Sequence, residues 1–209
     1  MEDGKKSQEE IKSNSEELLG GQIKEQNKAL KNIFIGLGIF VIGIVAVLLL
    51  ISSADYFEHK GINFNVVKEI APYQTSLPII YNGEEVQYNF FLRNDPRNLE
   101  KEIPFEGEFV LREDLIINMT KDFNCDGDGI IGVANMVNLY GLLGTKVIKD
   151  PEAGCDALKG RYSFIQIREG KETSIEQFAP TCYNLYVNNC EVLKVTERFM
   201  VEIFSKVNE

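Results

Sequence analysis

Apolar residues follow three different rhythms along this chain. From Asn32 to Ala54 they are nearly continuous: 23 residues pass without a charge, and the stretch IFIGLGIFVIGIVAVLLLI is almost wholly aliphatic. About 20 such residues, at 1.5 Å rise each, cross a hydrocarbon core of about 30 Å, whereas a buried helix of a small soluble domain would keep a polar face. The pattern predicts a transmembrane helix over residues 32–54.

Beyond that span the rhythm shortens. INFNVV, EVQYNFFLR and GEFVLREDLIINM alternate or cluster aromatic and branched residues, as strands do, and are separated by LPIIYNGEE and RNDPRNLEKEIP, whose Pro, Asn and Gly mark turns. Asn82-Gly83, between PIIY and EVQYNFF, is a hairpin signal, because both residues tolerate the positive φ of a primed turn.

Further on, a helical period takes over and mixes with strands. VANMVNLYGLL carries apolar residues at Val133, Met136, Val137, Leu139, Tyr140 and Leu143, whereas RYSFIQIR and CYNLYV alternate. In the closing segment NNCEVLKVTERFMVEIFSKV, Val192, Val195, Phe199 and Ile203 fall on one helical face, opposite Glu191, Lys194, Arg198 and Glu202, after an Asn able to cap the first turn. The apolar face is expected to pack on a sheet. Together these patterns predict an α+β domain over residues 55–209, β-rich at its start and closed by an amphipathic helix.

Residues 1–31 hold six Lys and seven Asp or Glu with no aromatic residue, too few apolar groups to build a core, and read as a solvated tail. The chain's net charge is −10; the tail contributes −1, which leaves −9 for the part beyond the span. Such acidity speaks against nucleic acid, whose phosphates need clustered Lys and Arg, and against lying on anionic lipid.

The flanks set the orientation. Lys24, Lys28 and Lys31 crowd the amino-terminal side of the span, while Lys60 and Lys68 are the nearest cations after it. Cys125, Cys155, Cys182 and Cys190 all fall after the span, as expected if that side is oxidising. Both signals keep the amino terminus in the cytoplasm and place residues 55–209 outside the plasma membrane. Ser52 and Ala54 have the spacing of a signal-peptidase site, but the apolar run exceeds the roughly 7–15 residues of a leader, so an uncleaved anchor is expected. The span contains no small-xxx-small pair that would favour helix dimerisation.

Four cysteines allow three pairings. If CYNLYV is a strand, Cys182 lies about 16–20 Å from Cys190, at about 3.3 Å per residue, which rules out that bridge. Antiparallel pairing of RYSFIQIR with CYNLYV would bring Cys155 to Cys190 and leave Cys125 to Cys182. A four-thiolate zinc site is the other reading, without the usual C-x₂-C spacing.

One stretch carries candidate chemistry: DFNCDGDGIIG, Asp122 to Gly132. In the register starting at Asn124, a calcium loop would take oxygens from Asn124, Asp126, Asp128, the Ile130 carbonyl and Asn135, with Gly129 at the sharp turn. Residues 124–143 thus resemble the loop-plus-helix motif of EF-hands and dockerin modules, which implies a calcium ion as cofactor. They depart from it in lacking a second loop and a bidentate Glu at the last position. The competing reading is a metal-free turn, since Gly, Asp and Asn also supply positive φ.

Asn118-Met119-Thr120 is an N-glycosylation sequon. The single histidine, His59, stands close to the span, and no nucleophile triad, phosphate loop or dinucleotide fingerprint occurs. CDALKGRYSFIQI and CYNLYVNNCEVLKVTERFMVEIF are similar to stretches of uncharacterised, signal-anchored single-pass surface proteins of prokaryotic, chiefly archaeal, genomes, and that resemblance implies topology without an activity. The expected function is a membrane-anchored cell-surface binding or structural protein, with the lipid bilayer and an envelope or extracellular protein or ligand as partners. The alternative is a small envelope hydrolase using paired carboxylates.

Overall fold

The computed structural model describes residues 31, 34–48, 55–81 and 83–207. The chain divides into two compact units, Met1–Ser53 and Ala54–Glu209. In the first, a helix α1 spans residues 34–48 and exposes its apolar side chains all round. No helix among the described residues is long and apolar enough to cross a membrane. Residues 32, 33 and 49–54 of the predicted span, and the tail up to residue 30, lie outside the described residues.

The second unit is α+β with two sheets. Sheet A is an antiparallel meander in chain order, β1 (Tyr56–His59), β2 (Ile62–Val66), β3 (Tyr73–Tyr81) and β4 (Glu84–Leu92). Lys60 and Gly61 both hold positive φ in the β1–β2 turn, and Gly83 holds φ 85° where β3 passes into β4, as tight hairpins of right-twisted strands require.

Sheet B has the order β5-β9-β10-β8-β6-β7, from β5 (Phe105–Glu106), β6 (Asp114–Met119), β7 (Lys146–Val147), β8 (Ser163–Glu169), β9 (Ser174–Ala179) and β10 (Cys182–Val187). Three helices accompany the sheets: α2 (Pro96–Glu102), α3 (Asp128–Leu142) and α4 (Val192–Val207). β6 and β7 are parallel neighbours, and α3 supplies the crossover between them.

The expected antiparallel pairing of RYSFIQIR with CYNLYV is overturned. β8 and β10 are parallel, with Cys182 opposite Phe164. The chain leaves β8, runs back as β9 on the far side, and returns as β10 in the gap, pairing antiparallel with β9. RNDPRNLEKEIP is likewise not all turn: Asp95 caps α2 through its side chain, which accepts from the Arg97 amide, and Pro96 begins the helix, where a missing N–H costs nothing.

α4 lies between the sheets. Phe204 meets Phe90 of β4 with ring centroids 5.3 Å apart, and Phe199 meets Tyr183 of β10 at 5.2 Å. Its apolar face packs on sheet as the periodicity predicts, but its other face is not open to solvent: Glu197 is 1% and Arg198 3% exposed. A smaller cluster covers the opposite face of sheet B, where the loop after β7 lays Ile148, Ala153, Cys155 and Tyr162 over Ile116, Phe164 and Cys182.

Candidate functional site

The stretch DFNCDGDGIIG builds a corner in which one glycine serves the turn and two serve close contacts. Cys125 and Asp126 hold φ of 46° and 59°, and Gly127 continues the turn at φ 96°. Gly129 lies against the backbone: a Cβ there would stand 1.8 Å from the Phe123 carbonyl oxygen. Gly132 faces α4, where a Cβ would come within 2.4 Å of Thr196 Oγ1. The turn and the close approach of two helices thus each give a reason for glycine.

Cys125 is bridged to Cys190, and Cys155 to Cys182. All four cysteines are therefore paired, although not as the antiparallel geometry predicted. Parallel pairing is the reason: Cys155, ahead of β8, meets the start of β10 at Cys182, while Cys190, past the end of β10, is left for Cys125. Asn189 and Cys190 also hold positive φ, so the Cys125–Cys190 bridge joins two left-handed turns that feed α3 and α4. It clamps the amino-terminal ends of the two helices that cross at Gly132 and Thr196.

The five candidate calcium ligands divide between the turn and the first turns of α3. α3 begins at Asp128, so Ile130 and Asn135 are helical residues. Asn135 lies about 10 Å further along the axis than Asp128, at 1.5 Å per residue. Asn124 and Asp126 stay in the turn, where Asp122 accepts a hydrogen bond from the Asn124 amide. Asp128 forms an ion pair with Arg93 at 2.9 Å. No cluster of three or more His, Cys, Asp or Glu side chains suited to a metal occurs among the described residues.

Asn135 lines a cavity of about 550 Å³ beside the end of β4, together with Arg93, the ion-pair partner of Asp128. Ile70, Phe91 and Ile131 give it apolar walls, and Arg93, Asn135 and Glu197 its polar groups. Glu197 is a residue that periodicity misassigns, since its place in α4 gives no hint of burial. Its carboxylate accepts from the Arg93 and Asn94 amides at 2.7 and 3.0 Å and from Asn94 Nδ2 at 2.8 Å. Burial raises its pKa, and these three donors oppose the rise. With its lone pairs engaged, this carboxylate holds the β4–α2 connection against α4 and is poorly placed to act as a general acid or base.

A second polar group that the sequence did not single out lies at the β1–β2 turn. Lys60 Nζ contacts Glu202 at 2.5 Å and Glu100 at 3.2 Å, and Arg198 pairs with Glu202 one turn away on α4. His59 Nε2 stands 3.0 Å from Glu100 Oε2 but off the line of a hydrogen bond, so the contact is electrostatic. Burial lowers the His59 pKa against the pull of Glu100. For Glu202, burial pushes upward, yet hydrogen bonds from Lys60 and Arg198 win and the carboxyl sits below its ordinary value. The charges compensate one another and tie β1–β2 and α2 to α4.

The sequon residue Asn118 stands in β6, half-buried, with Nδ2 donating to the Ala153 carbonyl at 2.9 Å. In the folded domain the nitrogen that would carry a glycan is thus engaged. Comparison with family models, with curated proteins and with solved structures returned no match.

Proposed function

We propose that the chain is a membrane-anchored protein whose apolar amino-terminal span holds residues 55–209 outside the cytoplasm as a binding or structural domain. The observation that carries this reading is the use of all four cysteines in two bridges, one clamping helix ends and one fastening the loop over sheet B. Disulfides at such positions persist where thiols are not kept reduced. The all-round apolar surface of α1 supports the anchor, because a helix without a polar face has no stable place in water.

The engagement of Glu197 by three donors favours a binding role over carboxylate chemistry at the cavity beside β4. Two measurements test the proposal. Protease applied to intact cells should destroy a tag at Glu209 and spare one at Met1. Protein taken from its native membrane should react with no maleimide until it is reduced, and then with four. Survival of both tags, or free thiols in the native protein, would remove the outer placement.

A further inference from the structure

Of the four strands that end a sheet among the described residues, three are short: β5 and β7 have two residues each and β1 has four. The fourth, β4, has nine. It pairs with β3 from Glu84 to Leu92 without a bulge, and its other edge makes no main-chain hydrogen bond among the described residues. EEVQYNFFL contains neither proline nor lysine, its only charges are the two acids at its start, and a long edge of this kind is a template for another strand. Exposed apolar residues flank it: Val86 is 38% and Phe91 39% exposed, and Ile80 on the neighbouring strand 81%.

We infer that the β4 edge is where two copies of this chain meet, β4 running antiparallel to β4 of the partner across a two-fold axis through Tyr88. The register follows from two requirements. A two-fold axis normal to the sheet pairs residues whose numbers have an even sum, which keeps the core-facing Phe90 and Leu92 on the same side in both copies. Using all nine residues then fixes that sum at Glu84 opposite Leu92, with Gln87 opposite Asn89.

Charge selects the second copy as occupant. The strand carries acids at one end, Glu84 and Glu85, and a cation just past the other, Arg93. Antiparallel self-pairing separates acid from acid and sets each Glu85 opposite Phe91, diagonal to Arg93 of the other copy on the same face. Arg93 spends one guanidinium nitrogen on Asp128, and its other donors are available to that carboxylate. A parallel arrangement would stack the acids instead. The pairing goes beyond the membrane-anchored reading and holds whichever side of the membrane the domain occupies.

Full-length chain carrying Gln87→Cys and Asn89→Cys, in membrane vesicles under mild copper-phenanthroline oxidation, tests it; the native cysteines are already bridged, so the new thiols are the reactive ones. A covalent dimer joined 87-to-89 is expected, in several-fold higher yield than from the out-of-register pair Glu85→Cys and Asn89→Cys. Adding Glu85→Arg, at an exposed hairpin position, should lower the yield at least three-fold and shift the detergent-solubilised chain from dimer towards monomer in sedimentation, with an unchanged near-ultraviolet spectrum. Equal yields from the two cysteine pairs, cross-links only to other proteins, a monomeric parent chain, or indifference to Glu85→Arg would each overturn the inference.

Discussion

Gly132 on α3 lies so close to Thr196 on α4 that a methyl group at 132 would stand 2.4 Å from the Thr196 hydroxyl oxygen. That hydroxyl is itself committed, donating back to the Val192 and Leu193 carbonyls of its own helix. The crossing is therefore tight on both sides. Gly132→Ala should cost about 1–3 kcal/mol by overpacking, and Thr196→Ala in the same chain should restore part of it, since the clashing atoms are a side chain. Thermal melts of the four members of that cycle measure the coupling; strict additivity would contradict it.

Gly129 differs in kind. Its neighbour is the Phe123 carbonyl oxygen, 1.8 Å from a would-be Cβ, and a backbone cannot step aside as a threonine can. Gly129→Ala should thus exceed Gly132→Ala, reaching or passing roughly 3 kcal/mol, with no rescue from any side-chain change in α4. Equal melting temperatures for the two alanine variants would show that the turn yields more readily than this packing implies.

The glycines show where sequence reading stopped. Composition marks DFNCDGDGIIG as a place where the chain turns sharply, but a cation cradle and a helix-crossing corner call for the same residues. What the composition does not carry is the contact with Phe123 and Thr196, one of them 64 positions away. The strand rhythm of RYSFIQIR and CYNLYV was legible, since alternation records which face is buried. Their mutual direction was not, because it depends on SIEQFA, whose mixed polarity hides β9. Likewise the charges of α4 read as a solvent face, and only sheet A, folding over from the other end of the domain, turns Glu197 and Arg198 into buried groups.

Removal of the Glu197 carboxylate tests that covering directly. Glu197→Ala leaves the Arg93 and Asn94 amides without their acceptor in a partly buried setting, at up to about 1–3 kcal/mol per orphaned donor before water relieves them. A loss of several kcal/mol is expected, together with faster amide exchange at Arg93 and Asn94. Protection retained at both positions would mean that another acceptor serves them.

The two disulfides should separate by accessibility. Cys182 is fully buried, whereas Cys190 lies at the surface, so graded reductant should open Cys125–Cys190 first. The loops they close span 65 and 27 residues. Chain entropy then gives roughly 4 kcal/mol for the longer loop and about 3.5 for the shorter as ceilings. Alkylation and peptide mapping during the titration give the order; early release of Cys182 would show that the loop over sheet B opens more readily than the helix corner.

Acidification should weaken the domain in two steps of one sign. His59 has its pKa lowered by burial, helped by Lys60 and Arg198 and opposed by Glu100. Below its ordinary value of 6.5 the unfolded histidine takes a proton that the folded one refuses, so stability falls as pH drops from there towards the folded value. Glu202 acts lower: its folded pKa lies below the ordinary 4.5, so its contribution is complete above that value and disappears as pH falls through the folded one. Glu197, raised by burial, works in the opposite direction above 4.5. The informative quantity is therefore the difference between wild type and variant. His59→Gln should flatten the stability profile just below pH 6.5, and Glu202→Gln should flatten the limb below 4.5 while lowering stability at neutral pH, because Arg198 would keep its burial and lose its carboxylate. Parallel profiles for wild type and His59→Gln would place the histidine in water, free of Glu100.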